Sequence, residues 1–132
     1  MLFRSVLAAW RWLRTGQDLS ATSLAVTGGS AGGGLAVALL VALRDAGEAL
    51  PGADPKRPLA LSGLPPLLVL VGTADVLLSD SKRLAEAAAK AGVDVTLEIG
   101  EGLPHAYPIM LGTPEAAEAT GQIGKFLQAR AR

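Results

Sequence analysis

The sequence contains no cysteine and a single histidine, and these two scarcities exclude several kinds of site. Without cysteine there is no disulfide, no thiolate ligand for a metal and no cysteine nucleophile. A lone imidazole, His105, argues against an all-protein zinc site, and we expect neither a metal nor a cofactor. Any catalytic chemistry must therefore use hydroxyl, carboxylate and imidazole groups.

An excess of charge of either sign is also missing. Twelve Lys plus Arg balance 12 Asp plus Glu, and neither sign forms a block, so we expect no nucleic-acid partner and no binding to an anionic membrane. The uncharged segment 19–43 contains serines, threonines and five glycines, which favours a buried strand, a turn and a helix over a membrane span. Arginines interrupt the N-terminal apolar stretch, unlike a signal peptide, and we expect a cytoplasmic protein.

The length of 132 residues suits one compact domain, which we expect to span residues 1–132. The apolar periodicity predicts alternating helices and strands. In chain order these are a helix from 3 to 16, a strand at 23–27, a helix at 31–46, a proline-rich connection at 48–66, a strand at 67–71, a helix from about 80 to 91, a strand at 93–99 and a helix at 114–127. This order predicts an α/β fold with a small parallel sheet of about three strands and helices on both faces. The last strand alternates like an exposed edge, which favours self-association.

Two polar residues are predicted to begin helices. Thr113 precedes Pro114 as an N-cap, and Asp80 or a near neighbour caps the preceding helix. The two tryptophans differ in position: Trp10 lies on the apolar stripe of the first helix, whereas Trp12 lies off it. We therefore expect Trp10 in the core and Trp12 at a contact with another chain.

A glycine-rich segment between a predicted strand and a predicted helix carries the strongest chemical signal. It matches G-x-S-x-G as Gly28-Gly29-Ser30-Ala31-Gly32. In a nucleophile elbow, the serine lies on a strained strand-to-helix turn, and the flanking glycines allow close approach of neighbouring backbones. The alternatives are a phosphate-binding loop or a plain tight turn, although the spacing fits neither the dinucleotide fingerprint nor a Walker A loop.

A serine nucleophile needs a base and an acid, and both are available after later strands. His105 follows the third predicted strand and Asp75 follows the second. The carboxyl ends of parallel strands meet at one edge of a sheet, and the chain order Ser30, Asp75, His105 is that of the α/β-hydrolase triad. Taken singly, Asp75 is explained as a solvated loop carboxylate and His105 as a loop or core residue. Asp80 is a rival for the acid.

Several stretches of the chain resemble the hormone-sensitive-lipase-like family of bacterial esterases. They are residues 28–36 with 42–47, residues 61–69 leading through 72–77, and Gly102-Leu103-Pro104-His105. The resemblance implies a truncated α/β-hydrolase-like, three-layer fold and carboxylic-ester hydrolysis without a cofactor. It implies Ser30 as the nucleophile, His105 as general base and then acid, and Asp75 rather than Asp80 as the acid that supports the imidazolium.

The departures from the family are expected to weaken the site. The chain resembles the C-terminal half of such an esterase, without the N-terminal cap, the first strands and the His-Gly-Gly oxyanion loop, and it lacks a further strand between Leu50 and Leu61. Gly29 stands where the family usually has Asp. The N–H of Ala31 is one oxyanion donor, and a second must come from glycines 32–34, the Gly72-Thr73 turn or a neighbouring chain.

Three functional hypotheses follow from the sequence. The first is a serine carboxylesterase that hydrolyses short-acyl or activated esters of small molecules through an acyl-enzyme. The second is a weak or inactive hydrolase remnant that acts as a binding module or self-associates into a homo-oligomer through exposed sheet edges. The third is phosphate binding by the glycine-rich turn. Labelling of Ser30 by a phosphonate separates the first from the second, and a nucleotide-induced shift in melting temperature would support the third.

Overall fold

The computed structural model describes residues 2–48, 50 and 61–130, except the side chains of Leu2 and Phe3. Most of the predicted proline-rich connection and the Phe3 side chain of the first apolar stripe therefore lie outside the described residues. The helices and strands, in chain order, are α1 (Leu2–Arg11), α2 (Ala31–Asp45), β1 (Leu67–Gly72), α3 (Leu78–Lys90), β2 (Val95–Gly100) and α4 (Pro114–Gln128). A π turn at Trp12–Gly16 replaces the predicted end of the first helix, and 3₁₀ turns cover Ala21–Ser23 and Tyr107–Ile109. Across the described parts of the chain, no helix is long and apolar enough to cross a membrane.

The chain divides into two compact units, Met1–Pro65 with Ala131–Arg132, and Pro66–Arg130. In the first unit α1 packs against α2. Trp10 is 4% exposed, so the prediction that it lies in the core is confirmed. Trp12 is 57% exposed, and its contact with another chain stays a prediction. The buried apolar residues of this unit are Trp10, Ala21, Leu39, Leu40, Leu43, Leu50 and Leu64.

The second unit is built on a parallel β-α-β arrangement. β1 and β2 pair in parallel, in a register that runs from Leu67 opposite Val95 to Gly72 opposite Gly100. α3 packs on both strands and α4 packs on β1, so the predicted α/β architecture is confirmed. The buried apolar residues here are Val71, Ala85, Ala88, Val93, Tyr107, Ala116 and Ala119.

The predicted first strand, 23–27, is not a strand in the described residues, and Ser23 instead ends a 3₁₀ turn. Leu24 has φ −109° and ψ 145°, and it is half-buried, as is Val26, while Ala25 and Thr27 are exposed. Among the described residues, the sheet contains two strands, where the sequence predicted about three. The reason is that an apolar run sets the local backbone conformation, whereas a strand also needs a neighbour to exchange hydrogen bonds with.

The two predicted helix caps have different outcomes. Thr113 is the N-cap of α4, and its Oγ1 accepts a hydrogen bond from the Ala116 N–H at 3.2 Å, so this prediction is confirmed. Asp80 is not a cap, because α3 begins at Leu78 and Asp80 lies in its first turn, paired with Arg83 at the surface. A carboxylate in the first helical turn interacts favourably with the helix dipole without replacing a cap.

Candidate active site

Ser30 connects residues 24–29 to α2 in an unusual backbone conformation. Its φ is 54° and its ψ is −126°, and the residue is exposed. A positive φ is uncommon for a residue with a side chain and costs on the order of 1–3 kcal/mol. The Gly32 N–H donates to the Gly29 carbonyl at 2.8 Å and the Gly33 N–H donates to the Ser30 carbonyl at 3.0 Å, which keeps the turn tight. The candidate nucleophile therefore lies on a strained, tightly bonded turn.

The glycines around Ser30 are not equivalent. A Cβ on Gly28 would lie 2.1 Å from the Gly32 carbonyl oxygen, so position 28 accepts glycine alone without movement of the backbone. A Cβ on Gly29 or on Gly32 would meet nothing within 4 Å. Position 29 therefore has room for a side chain, such as the Asp usual in the resembled family.

The structure reduces the number of possible oxyanion donors. The N–H groups of Gly32 and Gly33 are bonded within the turn, and the Thr73 N–H donates to the Gly100 carbonyl at 2.9 Å. These groups are a poor source of the second donor that the sequence suggested, because each would first have to break an existing bond. The Ala31 N–H, at the first position of α2, donates no backbone hydrogen bond to any described residue. Helix N-terminal N–H groups of this kind favour an anion.

Asp75 and His105 are brought together in the second unit. Asp75 follows β1, His105 follows β2, and Asp75 Oδ1 lies 2.9 Å from His105 Nδ1 across a separation of 30 residues. The same oxygen accepts the Leu77 N–H at 2.8 Å, in an Asx turn that leads into α3. The Asp75 side chain is 7% exposed and the His105 side chain is 42% exposed. A neutral imidazole that donates its Nδ1 proton to Asp75 keeps Nε2 as a proton acceptor.

The surroundings of Asp75 favour its ionised form. The hydrogen bond from the Leu77 N–H is the main cause that lowers the pKa of the carboxyl. Burial opposes this effect, and the hydrogen bond and charge interaction with His105 and the Ala106 N–H add to the lowering. Asp75 is therefore a carboxylate at neutral pH, as an acceptor for the imidazole Nδ1 proton must be.

Close contact between the loops after β1 and β2 brings this pair together, and it was not predicted from the sequence. A Cβ on Gly72 would lie 1.9 Å from the Leu103 carbonyl oxygen, and the same oxygen accepts the Ala74 N–H at 3.1 Å. Ala106, directly after His105, has φ 57° and ψ 30°. Glycines at the ends of both strands, Gly72 and Gly100, were the signal available, because a glycine inside a strand often marks a close backbone approach.

The predicted site residues are thus distributed over the two units. Ser30, Ala31 and the elbow glycines belong to the first unit, and the Asp75–His105 pair belongs to the second. Asp80, the rival acid, faces Arg83 at the surface. Within the described ranges, no three carboxylate or imidazole groups gather in a way that could hold a metal ion.

Known proteins match this chain over nearly all of its length. A sequence model of an α/β-hydrolase-fold family matches residues 49–109. An acetyl-hydrolase of Streptomyces hygroscopicus is 33% identical over 92% of this chain and 57% of its own length. The solved structure of an esterase from the bacterial hormone-sensitive lipase family superposes with a TM-score of 0.88 at 33% identity, covering 98% of this chain and 60% of that one. The chain has the α/β-hydrolase fold.

The resemblance of this chain to hormone-sensitive-lipase-like esterases is confirmed. A further solved relative is EstE5, soaked with p-nitrophenyl butyrate, with a TM-score of 0.86 at 31% identity over 97% of this chain and 60% of that one. The chain spans 57% of the length of the acetyl-hydrolase and 60% of the two solved chains.

Proposed function

We propose that this α/β hydrolase is a serine carboxylesterase that cleaves short-acyl or activated esters. The observation that carries the proposal is the contact between Asp75 Oδ1 and His105 Nδ1 at 2.9 Å, because it leaves Nε2 of the imidazole to act as a base. The strained backbone of Ser30 within G-x-S-x-G supports its assignment as the nucleophile. The acetyl-hydrolase named among the relatives supports a short acyl group.

In the proposed first half-reaction, Ser30 Oγ attacks the ester carbonyl carbon while His105 Nε2 takes the hydroxyl proton. The carbonyl oxygen becomes an oxyanion, which the Ala31 N–H stabilises at the positive end of α2. Collapse of this tetrahedral intermediate breaks the bond to the alcohol oxygen. The alcohol leaves with the proton from Nε2, and the acyl group stays on Ser30.

In the proposed second half-reaction, water repeats the attack on the acyl-enzyme. His105 Nε2 takes a proton from the water, and its oxygen adds to the acyl carbon. Collapse releases the carboxylic acid and returns the proton to Ser30 Oγ. Asp75 stays ionised throughout, and it stabilises the imidazolium that forms in both halves.

A single identified oxyanion donor limits the expected rate. Loss of one donor from an oxyanion hole typically lowers turnover by about 10²–10³. Ala31 supplies one N–H, and those of Gly32, Gly33 and Thr73 are bonded elsewhere. We therefore expect slow hydrolysis, best seen with esters that have a good leaving group.

The test compares wild type with Ser30→Ala in the hydrolysis of p-nitrophenyl butyrate. We expect release of p-nitrophenol by wild type to fall by at least about 10³-fold in the variant, and a comparable loss in His105→Ala and Asp75→Asn, because triad members act as a unit. Free imidazole also cleaves activated esters, so Ser30→Ala, which retains His105, provides the background to subtract. The matched control is Ser79→Ala, which removes an exposed hydroxyl from α3.

A second readout follows the nucleophile itself. An alkyl fluorophosphonate should add one adduct per chain to wild type and to Ser79→Ala, and none to Ser30→Ala. Matched far-UV circular dichroism checks that each variant is folded. Undiminished turnover in Ser30→Ala, or folded wild type that neither hydrolyses the ester nor takes up the label, would contradict the esterase proposal and favour the binding-module hypothesis.

A further inference from the structure

Both main-chain and side-chain hydrogen bonds join the loop after β1 to the loop after β2. The Thr73 N–H donates to the Gly100 carbonyl at 2.9 Å, and the Ala74 N–H donates to the Leu103 carbonyl at 3.1 Å. These two bonds use backbone groups that any residue except proline supplies. The remaining bonds depend on the identity of residue 73.

The Thr73 hydroxyl makes two of these contacts at once. Its Oγ1 accepts the Gly102 N–H at 2.7 Å and lies 3.3 Å from Glu101 Oε1, to which it donates. The hydroxyl proton is directed at the carboxylate, so a lone pair is left for the N–H. Gly102 has φ +69°, in the region that favours glycine, so its N–H direction depends on a special backbone conformation.

We propose that Thr73 is a positioning residue for the Asp75–His105 pair. Thr73 lies two residues before Asp75, and Gly102 lies three residues before His105, so one hydroxyl connects the two segments that carry the acid and the base. The inference rests on the proposed function for its kinetic consequence. Its structural consequence, the orientation of the imidazole, stands on the contacts alone.

The substitution that isolates this role is Thr73→Val. Valine has nearly the shape of threonine and keeps the N–H bond to Gly100, but it neither accepts from Gly102 nor donates to Glu101. Thr73→Ser restores the hydroxyl and serves as the rescue variant. Thr120→Val on α4 is the matched control, because the Thr120 hydroxyl donates to the Ala116 carbonyl of its own helix.

The first readout is the tautomer of His105, observed through the ¹⁵N shifts of its two ring nitrogens. The chain has one histidine, so these signals need no assignment. For the neutral imidazole of wild type we expect the proton on Nδ1 and none on Nε2. In Thr73→Val we expect the two nitrogen shifts to move toward each other as both tautomers become populated, while Thr73→Ser and Thr120→Val keep the wild-type shifts.

The second readout is the hydrolysis of p-nitrophenyl butyrate. A misplaced catalytic group lowers the rate of the chemical step, so we expect kcat to fall about tenfold in Thr73→Val with KM changed less than about twofold. Thr73→Ser should stay within about twofold of wild type in kcat. A residue with a merely structural role would lower the melting temperature without this split between kcat and KM.

Unchanged ¹⁵N shifts in a folded Thr73→Val variant would overturn the positioning role, whatever the kinetics. If wild type is no more active than Ser30→Ala, the esterase proposal fails, and the tautomer measurement still decides the role of Thr73. A tautomer shift with unaltered kcat would overturn the kinetic consequence and leave Thr73 as a residue that orients the imidazole without affecting the rate.

Discussion

At the scale of single residues, the contact between Gly28 and Gly32 explains why the turn at Ser30 has its shape. The Gly32 carbonyl occupies the place of a Cβ at position 28, at 2.1 Å. The same tight turn gives Ser30 its positive φ. The conformation of the serine and the absence of a side chain at position 28 therefore depend on each other. A Cβ on Gly34, inside α2, would meet nothing within 4 Å, so position 34 is without this constraint.

Gly28→Ala and Gly34→Ala should therefore have opposite effects on stability. We expect Gly28→Ala to lower the free energy of unfolding by at least about 2 kcal/mol, because the backbone around Gly32 must shift. Gly34→Ala should raise it by roughly 0.5–1 kcal/mol, because alanine favours a helix. Urea denaturation followed by circular dichroism measures both. Equal stability of the two variants would show that the close approach is absent in solution.

At the scale of elements, α3 and α4 begin in different ways. α4 has a side-chain cap: the Thr113 hydroxyl accepts the Ala116 N–H and donates to the Met110 carbonyl at 2.9 Å. α3 has no capping side chain at Leu77, and Asp75 instead bonds the Leu77 N–H from outside the helix. The start of α3 and the orientation of His105 therefore depend on the same carboxylate.

Substitutions at the two predicted caps should reflect this difference. Thr113→Ala should lower the free energy of unfolding by about 1 kcal/mol. Thr113→Ser keeps the capping hydroxyl, so it should keep most of the stability that Thr113→Ala loses. Asp80→Ala should cost about 0.5 kcal/mol, since it removes an exposed ion pair and a weak dipole interaction. Thermal unfolding at pH 7 compares the stability of these variants with that of wild type. A larger loss in Asp80→Ala than in Thr113→Ala would contradict the observed helix starts.

At the scale of the whole molecule, the candidate catalytic groups come from both compact units. Ser30 belongs to the unit that ends at Pro65, and Asp75 and His105 belong to the unit that begins at Pro66. The expectation from the length, that residues 1–132 form one domain, stays a prediction. In the two-stranded sheet of the described residues each strand pairs along one edge, and self-association through the other edges stays a prediction.

We propose that the two units unfold in one cooperative transition. Both tryptophans lie in the first unit and the single histidine in the second, so each unit has its own reporter. Tryptophan fluorescence and the His105 C2–H proton resonance, followed in the same urea series, should give the same midpoint within error. Two separate midpoints would show that the units unfold independently, and would contradict the prediction of one domain over residues 1–132.

The sequence by itself determined the local features of the fold, which depend on residues close together in the chain. Apolar periodicity predicted the four helices and the two paired strands, and Thr113 and Pro114 predicted the start of α4. The motifs around Ser30, Asp75 and His105 predicted the resemblance to hormone-sensitive-lipase-like esterases. Helical spacing, caps and turns are set by interactions within a few residues, so a short window of sequence contains them.

Only the tertiary structure decided which residues meet across long separations. Among the described residues, the segment before Ser30 has no strand partner. Asp75, and not Asp80, lies at His105, and the Leu103 carbonyl lies close to Gly72. The Thr73 hydroxyl reaches the Gly102 N–H across a separation of 29 residues. Such contacts depend on strand register and on the path of the loops. Both are fixed only when the elements pack together, and no periodic pattern in the sequence predicts them.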